Sequence, residues 1–113
     1  MHEVSLAEGV LQLIEEYQRN EGFSSVQLVR LEIGRMADVE IDAMRFCFDA
    51  VVRDSVADGA VLEIVEVAGQ GWCEACQKTV PMNVRFDACP ECGHFPLQVS
   101  GGTKMRVSEL EVE

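Results

Sequence analysis

Four cysteines stand in two close pairs, Cys73-Glu74-Ala75-Cys76 and Cys89-Pro90-Glu91-Cys92, with twelve residues between them. Zn²⁺ takes four soft or borderline donors in a tetrahedron, with sulfur at about 2.3 Å. A two-residue spacer lets one tight turn present two thiolates to the same ion, and a second turn completes the shell. Pro90 and Gly93 suit such a turn, since proline sets φ and glycine accepts a left-handed backbone. The spacing points to a structural zinc on Cys73, Cys76, Cys89 and Cys92, with no open position for a substrate water. Redox-active Cys-x-x-Cys pairs or two disulfides are the alternatives. A thioredoxin-like site needs its motif to open a helix. Here all three prolines, Pro81, Pro90 and Pro96, fall in or around the cysteine segment. The opening residues lack the basic and apolar regions of a signal peptide, so a mature start and a reducing compartment are expected.

A second set of donors lies in Met1-His2-Glu3. The Met1 amine, the His2 amide nitrogen and the His2 imidazole can close adjacent five- and six-membered chelate rings. Amide and imidazole nitrogens together favour square-planar Ni²⁺ or Cu²⁺. The Glu3 amide or carboxylate could fill the remaining place. Such a site is open and mobile, and its need for deprotonation makes affinity fall with acid. A histidine at position two is also a common residue of a frayed terminus. Cys47, within Met44-Arg45-Phe46-Cys47-Phe48, reads as a core residue. His94, just after the second pair, reads first as an exposed turn residue, with a neighbour of the zinc ligands or a replacement ligand as the alternatives.

The elements that must position these groups follow from periodicity. Ser5 and Glu8 have the spacing of a capping box. Leu6, Ala7, Val10, Leu11, Ile14 and Tyr17 then recur at helical spacing, and Gly22 marks the stop. Residues 24–34 alternate as a strand ending at Gly34. Residues 38–58 read as a second helix with Met44, Cys47, Phe48, Val51 and Val52 along its apolar stripe. Residues 60–67 read as a second strand. Gly69 and Gly71 then suggest a hinge, short strands are expected near 79–84 and 96–99, and Gly101-Gly102 suggests a second hinge. Residues 105–112 alternate as a strand that needs a sheet to join. The expected fold class is α+β: two helices packed on a small mixed sheet, with an inserted all-β, four-cysteine, zinc-ribbon-like module. The expected domains are residues 1–68 plus 105–113, and residues 69–104.

The 113 residues include nine Lys plus Arg and twenty Asp plus Glu, for a net charge of −11. Residues 1–67 carry fourteen acidic and five basic side chains, whereas residues 68–104 carry three of each. An acidic chain does not condense on phosphates, and the cysteine segment lacks the basic patch of a nucleic-acid-binding ribbon. No apolar run approaches the ~20 residues of a membrane span. The apolar share of 48% argues against disorder.

Met1-His2-Glu3-Val4-Ser5-Leu6 resembles the opening of the HypA/HybF family of hydrogenase-maturation nickel metallochaperones. Val29-Arg30-Leu31-Glu32-Ile33-Gly34, Phe46-Cys47-Phe48-Asp49, the Trp72-Cys73-x-x-Cys76 and Cys89-Pro90-x-Cys92 block, and Ser108-Glu109-Leu110-Glu111-Val112 resemble it further, in order and nearly end to end. The resemblance implies a cytoplasmic protein that carries Ni²⁺ to the large subunit of nickel–iron hydrogenase, with a nickel-handling GTPase as partner and, in some organisms, urease as a further client. It implies a nickel site at His2 with Met1 and Glu3 as neighbours, and a structural Zn²⁺ on the four cysteines. It implies monomers or homo-oligomers; the charge and the lack of an apolar run already leave no expected partner in nucleic acid or membrane. The resemblance also implies a carboxylate ligand from the loop-to-helix segment of Asp38 and Glu40 in some relatives, without assigning either residue.

Three functions fit these residues. One is nickel delivery without catalysis. Another is a zinc-ribbon protein-interaction adaptor without nickel transport, which uses the same cysteines and leaves Met1 and His2 idle. The third is an enzyme, which would need a base, a nucleophile or an open metal. No Ser-His-Asp or Cys-His arrangement and no Gly-x4-Gly-Lys phosphate loop is present, so no enzymatic activity is expected.

Overall fold

The computed structural model describes residues 2–113. In chain order the elements are α1 (His2–Glu21), β1 (Val26–Gly34), α2 (Ile41–Val51), β2 (Val61–Val67), β3 (Gly69–Cys73), β4 (Lys78–Met82), β5 (Gln98–Gly101) and β6 (Met105–Val112). They form two three-stranded sheets with strand orders β2-β1-β6 and β4-β3-β5. Two helices, a mixed sheet and an all-β cysteine-bearing piece are the architecture expected from the sequence.

Helix α1 buries Ala7, Val10 and Ile14 at helical spacing. It ends at Gly22, whose φ of 76° suits a C-terminal glycine and whose N–H bonds the Gln18 carbonyl at 2.8 Å. Its start differs from the expectation. The helix begins at His2, and Ser5 lies inside it rather than at its cap. Glu3 supplies the acidic group in the first turn that complements the positive helix end.

Helix α2 is shorter than the residues 38–58 expected. It buries Met44, Cys47 and Phe48 and is capped by Glu40, whose side chain accepts from the Asp42 N–H. It stops after Val51 because local side chains compete for the backbone. Ser55 Oγ donates to the Val52 carbonyl and accepts from the Ala57 N–H at 3.1 Å. Asp58 accepts from the Asp54 N–H at 3.0 Å, and Asp54 and Gly59 both take positive φ.

The first sheet is mixed. Strands β1 and β2 run in the same direction, since Arg30 meets Glu63 and, further along both strands, the Arg35 N–H donates to the Val67 carbonyl. Strands β1 and β6 are antiparallel: the Gly34 N–H meets the Lys104 carbonyl, while at the other end the Glu113 N–H meets the Ser25 carbonyl. The second sheet is antiparallel throughout, pairing Cys73 with Lys78 and Trp72 with Gln98.

The glycines expected at hinges are structural instead. Gly69 and Gly71 lie inside β3 and are buried. A Cβ on Gly71 would overlap the Met82 side chain, and one on Gly34 would overlap the Gly102 backbone. These are sites of close approach, which only glycine allows.

The chain divides into two compact units. Among the described residues, one comprises 2–31, 39–64 and 107–113; the other comprises Glu32–Asp38 and Val65–Arg106. In the first, α1 packs on α2, and Val29 and Leu31 are fully buried. In the second, Met36, Cys73, Val80, Met82, Cys89 and Leu97 form one buried cluster. No helix among the described residues is long and apolar enough to cross a membrane.

Candidate metal centre

Cys73 is the last residue of β3, and the chain turns after it so that the Cys76 N–H points at Cys73 Sγ, 3.4 Å away. The Gln77 N–H closes that turn on the Cys73 carbonyl at 2.8 Å, with Gln77 at φ 54°. The second turn is tied in the same way. The Gly93 N–H donates to the Cys89 carbonyl at 2.8 Å, the Cys89 N–H donates to the His94 carbonyl at 2.9 Å, and Gly93 takes φ 77°. An ion pair of 2.6 Å between Lys78 and Glu91 joins one turn to the other.

The four sulfurs lie within 4.8 Å of one another. Cys73 Sγ is 3.6 Å from Cys92 Sγ, and Cys76 Sγ is 3.9 Å from Cys89 Sγ. A tetrahedron with metal–sulfur bonds of ~2.3 Å has edges of ~3.8 Å, so this donor set fits a tetrahedral thiolate-bound ion. The separations are far beyond the ~2.05 Å of a disulfide, and all five cysteines are free. Cys73 is followed by a turn rather than a helix, which removes the thioredoxin-like alternative.

The thiols do not ionise together. Hydrogen bonding with Cys92, reinforced by burial and by Cys73 and Cys89, pushes Cys76 up to about 12. Burial acts to raise Cys89, but the N–H groups of Cys92 and Glu91 outweigh it and bring that thiol down to about 7. A dication entering the cluster must therefore displace protons.

At the other candidate site, His2 is exposed, and its Nδ1 lies 3.5 Å from Glu3 Oε2. The same oxygen accepts from the Glu40 N–H at 3.3 Å. That bond, with the residue's own N–H and His2 adding to it, holds the Glu3 carboxyl below the usual carboxylate range. Met1 lies outside the described residues. His2 and Glu3 occupy the first turn of α1, where N–H groups have no intrahelical acceptor.

A family model described as "Hydrogenase/urease nickel incorporation, metallochaperone, hypA" matches residues 1–112. The chain belongs to the HypA family. Its relatives include the hydrogenase maturation factor HypA of Albidiferax ferrireducens, 62% identical over 113 residues and covering both chains fully. That of Dechloromonas aromatica is 57% identical over the same span. The fold is shared with the solution structure of the Ni metallochaperone HypA from Helicobacter pylori, with a TM-score of 0.70, 22% identity, and 97% and 96% of the two chains covered. HypA proteins are maturation factors and metallochaperones, not enzymes.

Against the HypA background, the structure brings together the four cysteines singled out in the sequence, and brings His2 beside Glu3. His94 stands outside the four-thiol cluster and contributes only its backbone carbonyl to the second turn. Cys47 is buried among apolar residues. Sequence reasoning left Glu40 unassigned, although its N–H holds the Glu3 carboxylate. It missed Met36, which is buried in the cysteine-bearing core. An isolated methionine beyond Gly34 gives no periodic signal that could have found it.

Proposed function

We propose that this chain carries Ni²⁺ as cargo, bound at its N-terminus by His2 with the Met1 amine and Glu3 as neighbours, and delivers it during maturation of nickel–iron hydrogenase. The observation that supports this most is the approach of His2 Nδ1 to Glu3 Oε2, 3.5 Å apart on an exposed first turn of a HypA-family chain. Nδ1 is the ring nitrogen that closes a six-membered chelate with the residue's own amide nitrogen. That amide lies where the helix supplies no acceptor. Nitrogen donors of this kind suit Ni²⁺. In this proposal Cys73, Cys76, Cys89 and Cys92 hold a resident Zn²⁺, whose chemistry is to cross-link the two turns. A nickel-handling GTPase and the hydrogenase large subunit are the proposed partners, urease a further client, and the cytoplasm the compartment.

The test is nickel titration of the protein bearing its own Met1 at the terminus, beside His2→Ala and an N-terminally extended form. Both variants should lose the tight binding step while keeping the folded helices. Equal nickel affinity in all three would remove the site, and a zinc-loaded protein indifferent to nickel would leave the adaptor function.

A further inference from the structure

We propose that the open edge of β6 and the groove beside it form a docking site for an extended, cationic strand of a partner protein. Strand β6 is an outer strand of the β2-β1-β6 sheet, so one row of its N–H and C=O groups has no strand partner among the described residues. Such an edge is a template for another chain. Along it lies a groove of about 360 Å³ between α1 and β6, lined by Tyr17, Phe23, Val107, Leu110 and Val112, with Glu21 at its rim. No residue of β1 lines it; α1, Phe23 and β6 form its walls. Tyr17 and Val112 are 45% and 43% exposed, so the groove presents apolar side chains to solvent.

The opposite edge is less suited. There the Leu62 carbonyl of β2 is already taken by Arg45 Nη1 at 2.9 Å.

Charge selects the occupant. Two carboxylates line the groove, Glu21 and Glu109; Glu109 meets Arg30 at 2.7 Å, and Glu21 has no ion-pair partner among the described residues. A second copy of this chain would bring the same acidic strand, on a molecule of net charge −11, against itself. A strand that alternates apolar residues with lysine or arginine instead meets the edge with main-chain hydrogen bonds. Its apolar side chains enter the groove, and a cation beside them reaches Glu21. The site involves none of the candidate metal ligands, so its failure and that of the nickel proposal are separable.

The probe is a short blocked peptide in which lysine alternates with valine, added to the metal-loaded full chain. It should slow amide hydrogen exchange across residues 107–112, shift the Tyr17 ring resonances, and bind more weakly at high salt. N-methylation of the peptide's strand-facing amides should abolish the protection, and Glu21→Lys should weaken binding without altering the helical signal. The proposal is overturned if the peptide binds without protecting β6, or if a glutamate–valine peptide binds as well. It is also overturned if the free protein forms a concentration-dependent dimer that protects the same amides, because the edge would then belong to a second copy.

Discussion

At the scale of single residues, the candidate ligands have structural roles as well as chemical ones. Cys73 and Cys89 are metal-ligand candidates and also members of the buried cluster with Met36, Val80, Met82 and Leu97. Glu3 likewise links the first turn of α1 to the Glu40 N–H that begins the cap of α2. The depressed Glu3 carboxyl has a definite sign. Its contribution to stability is present above the pKa it has in the unfolded chain, and is lost as pH falls through its lower folded value. A side-chain NMR titration should therefore show Glu3 protonating at lower pH than glutamate in an unstructured peptide, and Glu40→Pro, which removes the principal donor N–H, should reduce the difference. Gly93 offers a second test. Its φ is 77° and nothing stands within 4 Å of where a Cβ would lie, so only backbone strain opposes substitution. Gly93→Ala should destabilise the metal-loaded protein by about 1–2 kcal/mol in urea unfolding, and Gly93→Asn by less.

Among the elements, the connections between strands and turns do the positioning. The segment after β1 would be an ordinary loop by its sequence, Arg35-Met36-Ala37-Asp38. Instead it is held at both ends. The Met36 N–H donates to the Gly102 carbonyl at 2.8 Å. Arg85, from the loop between the two cysteine pairs, places Nε 3.0 Å from both Asp38 carboxylate oxygens and donates through Nη2 to the Met36 carbonyl at 2.5 Å. Asp38 sits at φ 59°, a left-handed conformation that aspartate tolerates better than most residues. The ion pair itself is exposed and worth little, so most of the effect rests on the bond to Met36. Arg85→Ala should lower stability by about 1 kcal/mol in urea unfolding. Arg85→Lys should not restore it, because an ammonium cannot span a carboxylate and a carbonyl as a guanidinium does.

On the scale of the whole molecule, stability and charge are unevenly distributed. The helical unit has a core of its own, built from Ala7, Val10, Ile14, Val29, Leu31, Met44 and Phe48, all at most 4% exposed. The cysteine-bearing unit has a small cluster in which two of six members are candidate ligands. A module that small depends on its cross-link. Metal removal by a chelator should abolish amide protection at Val80 and Met82, while α1 and α2 keep theirs. Retained protection at Val80 in the metal-free protein would show that the apolar cluster suffices. The acidity, concentrated in residues 1–67, suits both a cation cargo and basic partner surfaces.

What the sequence determined by itself was local. Two Cys-x2-Cys pairs specify two ligand turns because a thiolate pair two residues apart needs only one turn. Periods of 3.6 and 2 placed both helices and the strands near 24–34, 60–67 and 105–112, because burial of one face is written into neighbouring residues. Strand β3 escaped because its glycines read as a hinge, whereas they are there to let Met36 and Met82 pack against the backbone. The end of α2 shifted because Ser55 and Asp58 chose backbone partners that spacing alone does not rank. Only the tertiary structure decided that residues 32–38 join the cysteine-bearing unit, that Arg85 grips Asp38 forty-seven positions away, and that Glu40 holds Glu3. Those contacts depend on which distant segments meet, and a ligand spacing or an apolar period carries no information about that.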